Sequence, residues 1–182
     1  MKNKSKSYQM TIVGVMAAVI CILGPLSIPI GLVPISFTNL AIYIALYALG
    51  MKKGIISFLI YVLIGFVGIP VFSGFSGGPA KLLGPTGGYI IGFIFMAIAS
   101  GIFIDRYFNK WIMCVVGMII GTALCYIFGT AWLAYQANMS AEVALAAGVI
   151  PFIPGDLVKI TLASIVGPQI RKRLIKADLF LA

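Results

Sequence analysis

The chain has 182 residues, 62% of them apolar and only 9% charged, against about 25% charged in an ordinary soluble domain. A mean hydropathy of +1.13 excludes a soluble globular domain and a disordered chain. Apolar runs from end to end also exclude a peripheral protein with one anchor. The net charge of +9 would suggest nucleic acid in a soluble protein. Here the basic residues stand at the ends of apolar segments, where they set topology, so membrane lipid is the expected surrounding and no nucleic-acid partner is expected.

The apolar runs predict six spans, over residues 8–24, 35–50, 54–69, 87–104, 111–135 and 155–175. A bilayer-crossing helix needs about 20 apolar residues, and the runs are continuous rather than alternating, which argues against a β-barrel. Lys2, Lys4 and Lys6 precede the first run as in a signal peptide. No small-residue cleavage site stands out, so that span is expected to stay. Lys2, Lys4 and Lys6, then Lys52 and Lys53, then Arg106 and Lys110, then Arg171, Lys172, Arg173 and Lys176 all fall on one side. Only Lys81 lies on the other side, and Lys159 lies within the last span. By the positive-inside rule the expected fold is an all-α membrane protein of six transmembrane helices with both termini cytoplasmic. It forms a single integral-membrane domain over residues 1–182, in the cell membrane.

The two sides differ in their connections. The cytoplasmic loops are short and charged. The outer ones, 24–34, 70–85 and 136–154, are longer, and the first two are rich in Gly and Pro. Long loops in compact folds are usually functional or mobile, and the first two are too apolar to be solvated tails. Residues 140–147 have the pattern of a short surface helix. Gly88 with Gly92, and Gly117 with Gly121, are GxxxG pairs that predict close helix packing inside the bundle. Gly14 and Ala18 make a small-xxx-small face on the first span, which suits either internal packing or a partner.

No catalytic constellation is visible, and the chain is not expected to be an enzyme. It has no histidine, hence no Ser-His or Cys-His pair and no zinc-protease motif. It has no GxxxxGK[ST] phosphate loop, and no resident cofactor or metal is expected. Cys21, Cys114 and Cys125 lie inside apolar runs and read as small core residues. Asp105, Asp178 and Glu142 read as surface charges.

Asp156 and Lys159 are different. They open the last span at i, i+3 spacing, on one helix face. One reading is a helix cap with a snorkelling lysine. The other is a donor–acceptor pair for a small polar ligand, favoured because Lys159 lies a full turn inside an apolar helix. Ser36, Thr38 and Asn39 open the second span, Thr86 and Tyr89 open the fourth, and Lys81 lies in the loop before it. Ser36 and Thr86 suit helix capping, and Tyr89 suits either the site or an interfacial belt. Asn39 lies inside its helix, where it needs a partner. Together these groups converge at the outer end of the bundle.

Four ordered blocks carry a wider resemblance: Val33-Pro34-Ile35-Ser36-Phe37-Thr38-Asn39-Leu40, Gly65-Phe66-Val67-Gly68-Ile69-Pro70-Val71-Phe72, Gly84-Pro85-Thr86-Gly87-Gly88-Tyr89-Ile90-Ile91-Gly92-Phe93 and Pro151-Phe152-Ile153-Pro154-Gly155-Asp156-Leu157-Val158-Lys159. In these the chain resembles the BioY family, the biotin-specific S components of energy-coupling factor transporters. It departs from many relatives at Asn39, where they carry Gln. The resemblance implies capture of biotin from outside, with a transmembrane coupling protein (the T component) and two cytoplasmic ATPases as partners that bind the ATP. It implies a biotin site among Asp156, Lys159, Asn39, Tyr89, Thr38, Thr86, Gly78, Lys81 and Phe152. Asp156 and Asn39 suit the ureido ring and Lys159 or Lys81 the carboxylate, while Gly77 and Gly78 suit a mobile lid. It implies a coupling-protein contact at Gly14, Ala17 and Ala18. An S component for another vitamin, or a stand-alone facilitator, are the rival readings.

Overall fold

A computed structural model describes residues 5–29 and 33–180. Lys2, Lys4 and part of the first outer loop, residues 30–32, lie outside the described residues. The regular structure of the described residues is helical, apart from one two-stranded ribbon and an isolated bridge. The elements in order are α1 (Lys6–Leu23), β1 (Ser27–Ile28), β2 (Ile35–Ser36), α2 (Thr38–Leu49), α3 (Met51–Phe66), α4 (Pro79–Leu83), α5 (Gly87–Tyr107), α6 (Trp111–Gln136), α7 (Ala141–Gly148) and α8 (Ile153–Lys176).

Each predicted span carries a helix, and α7 occupies the predicted surface helix. By length and apolarity, α1, α5 and α6 qualify individually as membrane-crossing helices, and α7 with α8, bent by 47°, qualifies as a pair. The boundaries moved where backbone chemistry overrides apolarity. Residues 35 and 36 leave the predicted helix because Ile35 and Ser36 pair with Ile28 and Ser27, antiparallel. The helix therefore starts at Thr38. α3 begins at Met51 rather than residue 54: Gly50, at φ +79°, breaks the chain after α2, and Asp105 Oδ2 accepts the Met51 N–H at 2.8 Å. The end of α3 retreats to Phe66 because Gly68 takes φ +110° and Pro70 follows.

α2 is buried almost all round, which marks it as the central helix. It packs on α8, α3, α5 and α1. Tyr43, Tyr47, Ile42 and Leu46 of α2 meet Phe58, Met96 and Met118 in the core. α5 and α6 form the most extensive helix pair, through the predicted glycines. A Cβ at Gly92 would stand 2.9 Å from the Cys125 carbonyl, one at Gly88 would run into Trp132, and Gly117 and Gly121 seat Phe103 and Ser100. On α1, Ala17 is buried while Gly14 and Ala18 face outward, and a Cβ at Gly14 would touch nothing.

At the basic end, Asp105 is more than the surface charge its position suggests. Its Oδ1 pairs with Arg171 Nη1 at 2.9 Å, so one carboxylate joins the end of α5, the start of α3 and the end of α8. Arg171 is buried, its guanidinium lying over Phe108 and Phe180. Tyr8 donates to the Leu179 carbonyl at 3.0 Å and brings the start of α1 to the same end.

Candidate functional site: a cavity at the helix ends opposite the basic rim

The first turns of α2, α5 and α8 meet the middle of α6 around a cavity at the end of the bundle opposite the basic one. Loop residues Val33, Pro34, Phe72 and Ser73 close its sides. Sequence places Thr38 and Asn39, Thr86 and Tyr89, and Asp156 and Lys159 each within the first two turns of a helix. Packing of α8 and α5 on α2 brings the three starts together.

Asp156 is the centre of the polar side. Its Oδ1 accepts from Asn39 Nδ2 at 2.8 Å and from Lys159 Nζ at 2.9 Å, and its Oδ2 accepts from the Tyr126 hydroxyl at 2.6 Å. Lys159 also donates to the Ser36 carbonyl at 2.7 Å. Asp156 and Lys159 are each 6% exposed and Asn39 4%; charges this deep are tolerated because each is paired and hydrogen-bonded. Lys159 points inward to this pair and does not snorkel. A carboxylate has about four acceptor sites and an ammonium three donors. After their own contacts Asp156 therefore retains one acceptor site and Lys159 one donor for a ligand.

The opposite wall is aromatic and aliphatic: Tyr61, Phe72, Ile90, Phe93, Met96 and Phe152 line it. Tyr61 and Phe72 meet edge to face at 5.5 Å. Phe152 stacks on Tyr89 at 6.5 Å. Tyr89 is a buried wall residue rather than a belt residue. Its hydroxyl donates to the Gly148 carbonyl at 2.8 Å, and Gly129 and Gly148 leave room for its ring. Thr86 stands just before α5 but its side chain caps nothing: the residue lines the cavity and its buried hydroxyl has no partner. Ser36 does act locally, accepting the Thr38 N–H at 3.4 Å and donating to the Thr38 hydroxyl.

Of the residues singled out from sequence, Asp156, Lys159, Asn39, Thr38, Thr86, Tyr89 and Phe152 line this cavity, and Gly78 and Lys81 do not. Gly78, at φ +89°, starts α4, and its N–H bonds the Gly65 carbonyl at 2.7 Å. Lys81 lies on α4, half-buried, and burial lowers its ammonium from the ordinary lysine value. Tyr126, Tyr61 and Thr122 line the cavity although sequence did not single them out. Thr122 carries the Tyr43 hydroxyl at 2.7 Å behind the wall. Nothing in the linear pattern separates such a tyrosine from a core or belt residue. No His/Cys/Asp/Glu group able to hold a metal ion occurs among the described residues.

The model of the BioY family matches residues 1–176. The biotin transporter BioY2 of Lactococcus lactis is 36% identical over 167 residues, covering 91% of each chain. The biotin transporter BioY of Thermotoga maritima is 31% identical, covering 87% of this chain and 93% of its own. A solved structure described as the S-component for biotin from an ECF-type ABC transporter superposes with a TM-score of 0.85 at 34% identity, over 94% of this chain and 95% of that one. A match over nearly the whole length in sequence, and in the arrangement of helices that builds the cavity, has one reading: the chain belongs to the BioY family.

Proposed function

We propose that this chain is the biotin-binding S component of an energy-coupling factor transporter. It crosses the cell membrane six times with both termini in the cytoplasm and takes biotin from outside. A transmembrane coupling protein and two cytoplasmic ATPases complete the transporter and supply the ATP-driven step. The grouping of exposed basic residues at the end opposite the cavity supports this orientation.

The observation that carries the ligand is the network Asn39–Asp156–Lys159–Tyr126 opening onto an aromatic wall. Biotin has a ureido ring with two N–H donors and one carbonyl acceptor, an apolar middle and a carboxylate. The Asp156–Lys159 pair is neutral overall, so it suits the neutral ureido ring better than a carboxylate, which would face Asp156. Asp156 accepts a ureido N–H, Lys159 donates to the ureido oxygen, and Thr38 and Asn39 complete that end. Phe152 and the opposite wall hold the apolar middle. Thr86 and Tyr89 line the cavity beside that wall. Lys81, whose desolvated ammonium gains from an anion, and Gly78, at the start of α4, serve the carboxylate end. Gly14 and Ala18 on the outward face of α1 form the coupling-protein contact, with Ala17 packing behind them.

Titration of biotin into the purified, detergent-solubilised chain tests the reading. Tight, saturable binding at one site per chain without ATP is expected, and thiamine and riboflavin should not compete. No binding by a folded sample, or equal competition by another vitamin, overturns the substrate.

A further inference from the structure

The basic end of the bundle holds more cations than its folding uses. Arg171 pairs with Asp105, and Asp105 also accepts the Met51 N–H, so the acid beside Arg106 already has a cationic partner. Among the described residues, Lys52, Arg106, Lys110, Lys172, Arg173 and Lys176 are all exposed and none is in an ion pair. Two of them are gathered on one ring. The Arg106 guanidinium lies 5.6 Å and the Lys110 ammonium 5.8 Å from the centroid of Tyr107. Like charges drawn to one aromatic ring repel, and the acid next to them in sequence is already committed. An external anion relieves that repulsion.

The neighbours say which kind of anion. Trp111 and Ile112 follow Lys110 directly and are 56% and 67% exposed. Trp111 is held upright by a hydrogen bond from its indole N–H to Ser164 Oγ at 3.0 Å, so its ring stands at the rim of the apolar belt of α6. Ile175 and Leu179, also exposed, flank Lys176 in the same way. Cations that border lipid-facing side chains, with an exposed tryptophan between, sit at headgroup depth rather than in open water.

We propose that the Arg106–Lys110 turn, with the adjoining basic end of α8, binds the headgroups of anionic phospholipids. The phosphate and its neighbours pair with the Arg106 and Lys110 side chains, and the acyl chains lie along Trp111, Ile112 and the exposed face of α6. The site is separate from the ligand cavity, which lies at the far end of the bundle.

The test uses the full-length chain in vesicles of phosphatidylcholine containing brominated phosphatidylglycerol or, in parallel, brominated phosphatidylcholine. Quenching of Trp111 fluorescence reports which lipid stands beside it, and a Trp111→Phe control gives the background from Trp132. Association of phosphatidylglycerol is expected to be on the order of tenfold stronger than that of phosphatidylcholine, and weaker in high salt. In Arg106→Gln/Lys110→Gln the preference should fall towards equality while biotin affinity stays unchanged, which shows that the variant is folded. Equal quenching by the two lipids in the unmodified chain overturns the proposal. So does a preference that survives the double substitution, or a double variant that loses only its binding to the coupling protein, which would make the turn a protein contact.

Discussion

Asp156 carries three hydrogen bonds from its own protein and keeps one acceptor site. Replacing it tests whether that site meets the ligand. Asp156→Asn loses a charge-assisted bond worth roughly 1.5–3 kcal/mol, so biotin affinity measured by calorimetry should fall more than tenfold. Tyr126→Phe leaves the charge and removes only a supporting hydroxyl, so the fall should be smaller, a few-fold. Unchanged affinity in the Asn variant would remove Asp156 from the site. The Asp156–Lys159 pair was legible in the sequence because i, i+3 spacing fixes two side chains on one helix face whatever surrounds them. Asn39 was legible because an amide inside an apolar helix needs a partner. Tyr126 was not, since a tyrosine in an apolar run looks the same whether its hydroxyl meets a carboxylate, a core group or the bilayer surface. Thr86 stood at a capping position, and only the surrounding chain shows that its hydroxyl makes no cap and that the residue lines the cavity instead. The Asp105–Arg171 pair joins residues 66 apart in sequence, and no local pattern couples them.

Helices read well from the chain because the apolar runs are long and continuous, and their ends follow from Gly, Pro and charge. The short elements β1, β2 and α4 did not. They lie in apolar, Gly- and Pro-rich loops whose order comes from contact with the bundle rather than from periodicity. The small-residue faces divide into two kinds that only packing distinguishes. Gly92 is pressed against the α6 backbone, whereas Gly14 faces open space. Gly92→Leu should therefore overpack the α5–α6 seam, cost about 1–3 kcal/mol and lower the melting temperature of the solubilised protein by several degrees. Gly14→Leu should leave both the melting temperature and biotin binding unchanged, yet block co-purification with the coupling protein. A Gly14→Leu protein that still assembles would show that the outward face of α1 is not the contact.

At the scale of the whole molecule the two ends are specialised. One gathers cavity-lining polar groups beneath loops; the other is a cationic rim tied together by Asp105. No phosphate-binding loop occurs in the chain, and under the proposed function the ATPase partners supply the energy for accumulation. Proteoliposomes carrying this chain alone should bind biotin without accumulating it, and accumulation should appear when the coupling protein, both ATPases and ATP are supplied. Accumulation by the chain alone would favour a stand-alone facilitator.

The central helix α2 has only 12 residues. At about 1.5 Å per residue it reaches roughly 18 Å, well short of the ~30 Å hydrocarbon thickness of a bilayer. Its Gly50 end is fixed beside the cationic rim, so in the proposed six-span orientation Thr38 and Asn39 at its other end stop below the far headgroups. Under the proposed function, biotin entering the cavity descends to the level of the acyl chains and sheds its water there. In those low-dielectric surroundings each polar contact is strengthened and must break before water replaces it, so slow dissociation is expected from the shortness of one helix.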